Sequence, residues 1–183
     1  MMYITGKEQA HKLLAGHAGS GLALLSLNDS DVLPPPWASR RHALTLHVDD
    51  VTFARSGFTA VMPHHLRRIV DWARENPERD WLIHCAQGVS RSPAAALIAR
   101  TAITLGNPGD ASVAAREAVQ AVVAALDGSE AAGWRYGAVR PNARFLLLGD
   151  ELLDCDGQLV AAALEQWPTI RPFIDRACGH LDT

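Results

Sequence analysis

Nine consecutive residues of this 183-residue chain carry the side chains that could do chemistry: His84-Cys85-Ala86-Gln87-Gly88-Val89-Ser90-Arg91-Ser92. A thiolate is a strong nucleophile. Near a helix N-terminus and a cation, a thiol pKa that is ordinarily about 8.5 can drop to about 3.5–7.5. Arg91, separated from Cys85 by five residues, offers a planar fork of donors that takes two oxygens of a phosphate at once. Its charge also suits a phosphoryl-transfer transition state, in which negative charge spreads over the equatorial oxygens. The hydroxyl of Ser92 is placed to hydrogen-bond the sulfur when it leaves, and His84 is expected to hold the loop by bonding to backbone. A short loop feeding a helix converges its backbone N–H groups on one centre. Ala86, Gln87, Gly88, Val89 and Ser90, with Arg91, therefore read as the substrate cradle. Gly88 permits a backbone angle that other residues resist, and Pro93 fits just inside a helix start. A lone cysteine after a strand is ordinarily a small core hydrophobe. In this string, however, every position answers a requirement of phosphate binding and attack by sulfur.

Such a loop needs a strand before it and a helix after it. "WLIHC" (81–85) reads as a strand, and "SPAAALIARTAITL" (92–105) as a helix too apolar to lie on a surface. Upstream, 7–17 reads as a helix and "GLALLSL" (21–27) as a strand buried on both faces. The segment 28–41 reads as a loop, because three consecutive prolines suit neither helix interior nor central strand. "HALTLHV" (42–48) alternates like a strand and runs into Asp49 and Asp50, and 59–75 patterns as a helix that includes His64 and His65. Further helices are expected over 111–126, behind the N-cap Asp110, and over 141–153, with Pro141 in the first turn. The tail from about 157 reads as one or two short helices split at Pro168. Strands among helices with short connections predict a single α/β domain over 1–183, with a mostly parallel sheet and the cysteine loop at a strand's carboxyl end.

Composition narrows the class. The chain is 48% hydrophobic and 20% charged with a net charge of −3, which gives no support for nucleic acid or an anionic membrane as partner. No signal peptide pattern opens it and no apolar run approaches a membrane span. The three cysteines, Cys85, Cys155 and Cys178, have no metal-ligand spacing, so no metal site is expected; Cys155 and Cys178 read as ordinary thiols. These features point to a reducing, cytoplasmic setting. Arg55, Arg140 and Arg144 read as solvated loop or rim residues, and Trp72, Trp81, Trp134 and Trp167 as packing.

The string from His84 to Ser92 resembles the signature loop of the cysteine-dependent protein tyrosine phosphatases, with "GVSRSP" most similar to the dual-specificity branch and its bacterial relatives. "RPNARFLLLGDEL" is similar to the Pro-Asn…Phe stretch that follows the signature there, and the likeness covers roughly 20–155. The resemblance implies hydrolysis of phosphorylated proteins or peptides through a phosphocysteine intermediate, with no cofactor or metal. It also implies an aspartate general acid on a separate loop, and an asparagine, here Asn142, that supports the signature loop. Val48-Asp49-Asp50 matches the family's Val-x-Asp, which makes Asp50 the first candidate acid. Asp49 stays open as the alternative, because the 35-residue interval to Cys85 is long for the family. Asp29 and Asp31 are the next carboxylates in line. A phosphoinositide or other small-phosphoester phosphatase shares the loop chemistry, although Ala86, Gln87, Val89 and Ser90 add no positive charge for a polyanionic ring. A phosphate-binding module without turnover would be expected to lack the cysteine, the arginine or the acid.

Overall fold

The computed structural model describes residues 1–16, 21–33, 36–37, 40–105, 110–127 and 139–180. Four strands form one parallel sheet: β1 (Met2–Gly6), β2 (Ala23–Asn28), β3 (Ala43–His47) and β4 (Trp81–Cys85), in the order β1-β4-β2-β3. The helices are α1 (Lys7–Gly16), α2 (Pro63–Glu75), α3 (Arg91–Thr104), α4 (Ala111–Asp127), α5 (Ala143–Leu152), α6 (Gln158–Gln166) and α7 (Arg171–Cys178), with a 3₁₀ turn over Pro168–Ile170 before α7. This is the α/β architecture with a parallel sheet expected from the sequence. No described helix is long and apolar enough to cross a membrane.

Alternation along the strands divides the core. Ile4, Leu25, Leu27, Leu44, Leu46 and Ile83 point to the face covered by the larger helical layer, whereas Leu24 and Leu82 pack with Leu14 and Trp37 on the face covered by α1. Both faces being buried is why β2 and β4 are predominantly apolar, with buried Ser26 and His84 pairing with each other. Helix α3 lies within the molecule, against α2, α4 and α5, which its nearly uncharged sequence requires. Its approach to α5 is close: a Cβ added at Gly149 would come within 2.6 Å of Ile98 Cγ1.

Two features depart from the sequence expectation. Strand β1 was not foreseen; its five residues pair with β4 along their whole length, Gly6 lying opposite Cys85. Helix α2 begins at Pro63 rather than 59, because Pro63 supplies a preorganised first turn and His65 Nδ1 accepts the Met62 N–H. The C-terminal tail forms two short helices parted at Pro168, as expected, and the sequence reading did not say what they cover: Leu159, Ala163, Ile170 and Ile174 are buried in the core. The Asp150 carboxylate ties them down by accepting the N–H groups of Gly157, Leu159 and Val160.

Among the tryptophans, Trp72, Trp81 and Trp167 are buried, as packing residues should be, whereas Trp134 lies outside the described residues. Cys155 is buried, and burial together with Asp150 and Asp154 pushes its thiol up to about 11; Cys178 is exposed.

Candidate active site

The loop 86–90 leaves the carboxyl end of β4 and enters α3 at Arg91. Three backbone bonds tie it down. Lys7 N donates to Ala86 O at 3.1 Å, Arg140 N to Val89 O at 2.8 Å, and Asn142 N to Ser90 O at 3.2 Å. Gly88 has φ +84°, in the left-handed region, and an added Cβ there would lie 2.5 Å from the carbonyl carbon of Thr5. Only glycine combines that turn with so close a pass over β1. Gln87 and Ala86 are exposed, and Val89 and Ser90 are half-buried.

Cys85 is buried beneath the loop, at the N-terminal end of α3. Gly88 N donates to its sulfur at 3.2 Å, and Ser92 Oγ lies 3.3 Å from it. Both partners suit a charged or departing sulfur, as does the positive end of the helix dipole. His84 is fully buried on the other side of the strand. Its Nε2 pairs with Ser26 Oγ at 2.8 Å, while Nδ1 has no hydrogen-bond partner of good geometry. Trp37 Nε1 donates to the same hydroxyl at 3.1 Å. Burial drives the His84 pKa down to about 4, against a weaker upward pull from the Cys85 backbone, so the ring is neutral near pH 7. The strand pleat aims residues 84 and 85 to opposite faces, which is why the ring meets Ser26.

Arg91 is 3% exposed at its side chain. Its Nη1 donates to Val48 O at 2.7 Å and meets Asp29 Oδ1 at 2.7 Å, while Nε is buried with no partner among the described residues. Sequence reasoning did not foresee the contact with Asp29; the only sign of it was an acid directly after a strand.

The two candidate acids part company. Asp49 is buried, and its carboxylate accepts Ser30 N at 3.1 Å, Ser30 Oγ at 2.8 Å and Thr59 N at 2.6 Å. Burial works to raise its pKa, but those three bonds and the charge of Arg91 outweigh it and hold the group below its ordinary 3.8. Asp50 is exposed and faces the loop, where Oδ1 accepts Ser90 Oγ at 2.7 Å and Asn142 Nδ2 at 2.8 Å. Both bonds fall on Oδ1. Asn142 serves twice: its Oδ1 caps α5 by accepting Arg144 N and Phe145 N, and its Nδ2 reaches Asp50. Arg144, expected to be solvated, is instead buried, donating Nε to Val61 O at 2.9 Å, and burial lowers its pKa. Arg55 stacks over the Phe58 ring at 3.8 Å, and Arg140 lies on the cleft. That cleft, about 460 Å³, adjoins the loop and is lined by Asp50, Gln87, Ser90, Arg140, Asn142 and Phe173 of α7, among others. Among the described residues, no three of His, Cys, Asp and Glu gather as a metal site would require.

The same fold occurs in solved phosphatase structures. Human DUSP28 superposes with a TM-score of 0.52 at 20% identity, the match covering 84% of this chain and 91% of that one. The OH1 tyrosine phosphatase of Orf virus gives 0.50 at 22%, covering 85% and 83%. The Yvh1 phosphatase domain of Chaetomium thermophilum gives 0.50 at 17%, covering 86% and 93%. No family model matches the chain, and no curated protein does.

Proposed function

We propose that this protein is a phosphomonoester hydrolase, a protein tyrosine or dual-specificity phosphatase that acts through a phosphocysteine intermediate. The observation that carries the reading is the clustering of Cys85, Arg91 and Asp50 about one loop, with Gly88 N and Ser92 Oγ on the sulfur. A fold of this kind hosts many activities, and function follows from the site.

The Cys85 sulfur, as thiolate, attacks phosphorus while the loop N–H groups and Arg91 hold the phosphate oxygens. An S–P bond forms and the ester P–O bond breaks, and Asp50 gives its proton to the leaving oxygen. In the second half Asp50 takes a proton from water, whose oxygen attacks phosphorus. The S–P bond breaks, inorganic phosphate leaves, and Ser92 Oγ hydrogen-bonds the returning thiolate. Asn142 and Ser90 orient Asp50, Asp49 braces the strand end beneath it, and His84 packs the loop from the far side. The substrate is a phosphorylated protein or peptide, met in the cytoplasm. The lack of positive charge at Ala86, Gln87, Val89 and Ser90 favours this over a phosphoinositide. The "GVSRSP" run favours the dual-specificity branch, in its bacterial form. The whole of 1–183 is taken as one domain.

The test is hydrolysis of an aryl phosphate in excess EDTA, by wild type and by Cys85→Ser. Serine keeps the loop's shape but stays protonated near neutral pH. The variant should bind phosphate without detectable turnover. Appreciable residual activity in it, or loss of wild-type activity to EDTA with rescue by a divalent ion, would defeat the mechanism.

A further inference from the structure

The ion pair between Arg91 and Asp29 joins the signature loop to a segment that the reaction above does not use. A buried guanidinium without a compensating partner is costly, so the acid that meets it matters. Asp49 contributes charge nearby, but its oxygens are engaged by Ser30 and Thr59. Asp29 makes the direct contact, and its side chain is still 41% exposed.

Asp29 is held where it is by its neighbours. On one side, Asn28 O accepts Val48 N at 2.8 Å. On the other, Ser30 N and Oγ both donate to Asp49. Val48 also gives its carbonyl to Arg91 Nη1. A closed circuit results, running Asn28 to Val48, Val48 to Arg91, and Arg91 back to Asp29. Both of its contacts to the guanidinium fall on the one nitrogen, Nη1, while Nε is buried and has no described partner. A fully buried donor with nothing to bond points to a ligand that completes it.

Resting on the reading of the loop as a phosphate site, we infer that Asp29 is a positioning residue. It anchors Arg91 by Nη1 and so reserves the Nε edge of the guanidinium for the phosphate oxygens. It touches no reacting atom. Its effect should therefore appear in the binding of phosphate more than in the chemical steps that follow.

The experiment compares wild type, Asp29→Ala and Asp29→Asn in the full chain. It measures KM and kcat for an aryl phosphate, inhibition by inorganic phosphate, and Tm. In Asp29→Ala the KM and the phosphate inhibition constant should both rise about ten- to a hundredfold, the range expected when a binding group is misplaced by about an ångström. The fall in kcat should be smaller. Asp29→Asn keeps an acceptor for Nη1 and should recover part of the phosphate affinity even if Asp29→Ala folds poorly. Unchanged phosphate inhibition in both variants overturns the inference, as does a drop in Tm with affinity intact. Tighter phosphate binding also overturns it, because the carboxylate would then be competing for the arginine. If wild type neither hydrolyses the aryl phosphate nor is inhibited by phosphate, the reading of the loop itself fails and the inference falls with it.

Discussion

Adjacent carboxylates at the end of β3 should separate stability from catalysis. Asp49→Ala removes an acceptor of three hydrogen bonds, from Ser30 N, Ser30 Oγ and Thr59 N. Bonds to a charged group are each worth about 1.5–3 kcal/mol net. The three converge on one carboxylate, and water can reach Ser30 and Thr59 once it is gone, so a total of about 3 kcal/mol is the reasonable expectation. For a domain of this size that lowers Tm by about 6–12 °C. Asp50→Ala loses two bonds at an exposed position, and its Tm should move by only about 4 °C at most. The kinetics should run the other way. Asp50→Ala should cost about 10²–10⁴-fold in turnover of phosphotyrosine, whose leaving oxygen needs a proton, and less on an activated aryl phosphate. Asp49→Ala, measured below its melting range, should show no dependence on the leaving group. Thermal melts and kcat on the two substrates decide the matter. A leaving-group-dependent loss in Asp49→Ala with Tm unchanged would refute the assignment and move the acid by one residue. No such loss in either variant would refute both.

Other consequences follow from the same geometry. Arg91→Lys should lower kcat/KM by about a hundredfold or more, since a point charge cannot replace a two-oxygen fork; activity within about threefold of wild type would contradict the role given to Arg91. Gly88→Ala places a Cβ 2.5 Å from the Thr5 carbonyl carbon at a left-handed φ. The backbone alone should cost about 1–2 kcal/mol, and the displaced Gly88 N–H should reduce turnover by about tenfold; wild-type melting and kinetics would show that β1 is not so close. Stability should also fall as pH drops from 6.5 towards 4, where the unfolded chain protonates His84 and the folded chain, titrating at about 4, does not. The His84 share is about 3 kcal/mol, and half-exposed His65, also lowered to about 4, adds less. Asp49, held below 3.8, adds a further loss only as pH falls through its own lower value. Chemical denaturation across that range should give a shallower slope in His84→Gln than in wild type, and equal slopes would remove His84 from the account.

Much of the site was legible because its requirements are local. Cys85, Gly88, Arg91 and Ser92 sit within eight residues on a strand-loop-helix unit, and each is constrained by chemistry that the residue types announce. Strand β4 and helix α3 were readable for a related reason: segments so largely apolar can be stable only when covered on all sides. The roles of Asp49 and Asp50 were not separable, because strand alternation says that neighbours diverge without saying which way the pocket lies.

What the sequence alone determined is the placement of a cysteine, a glycine and an arginine on one strand-loop-helix unit, from residue type and spacing along one short stretch, and the parallel α/β class, from the pattern of strands and helices along the chain. Tertiary structure alone decided what surrounds them. Strand β1 has only five residues at an edge of the sheet, and its pairing with β4 brings Thr5 and Gly6 against Gly88. Asp29 reaches Arg91 from 62 positions before it, and Asn142, expected from the resemblance to support the loop, reaches Asp50 from 92 positions after it. His84 turns away from the loop to Ser26, and Arg144 is buried rather than solvated. Contacts between residues so far apart depend on how strands stack and which faces the helices cover, and no local pattern of polarity records that.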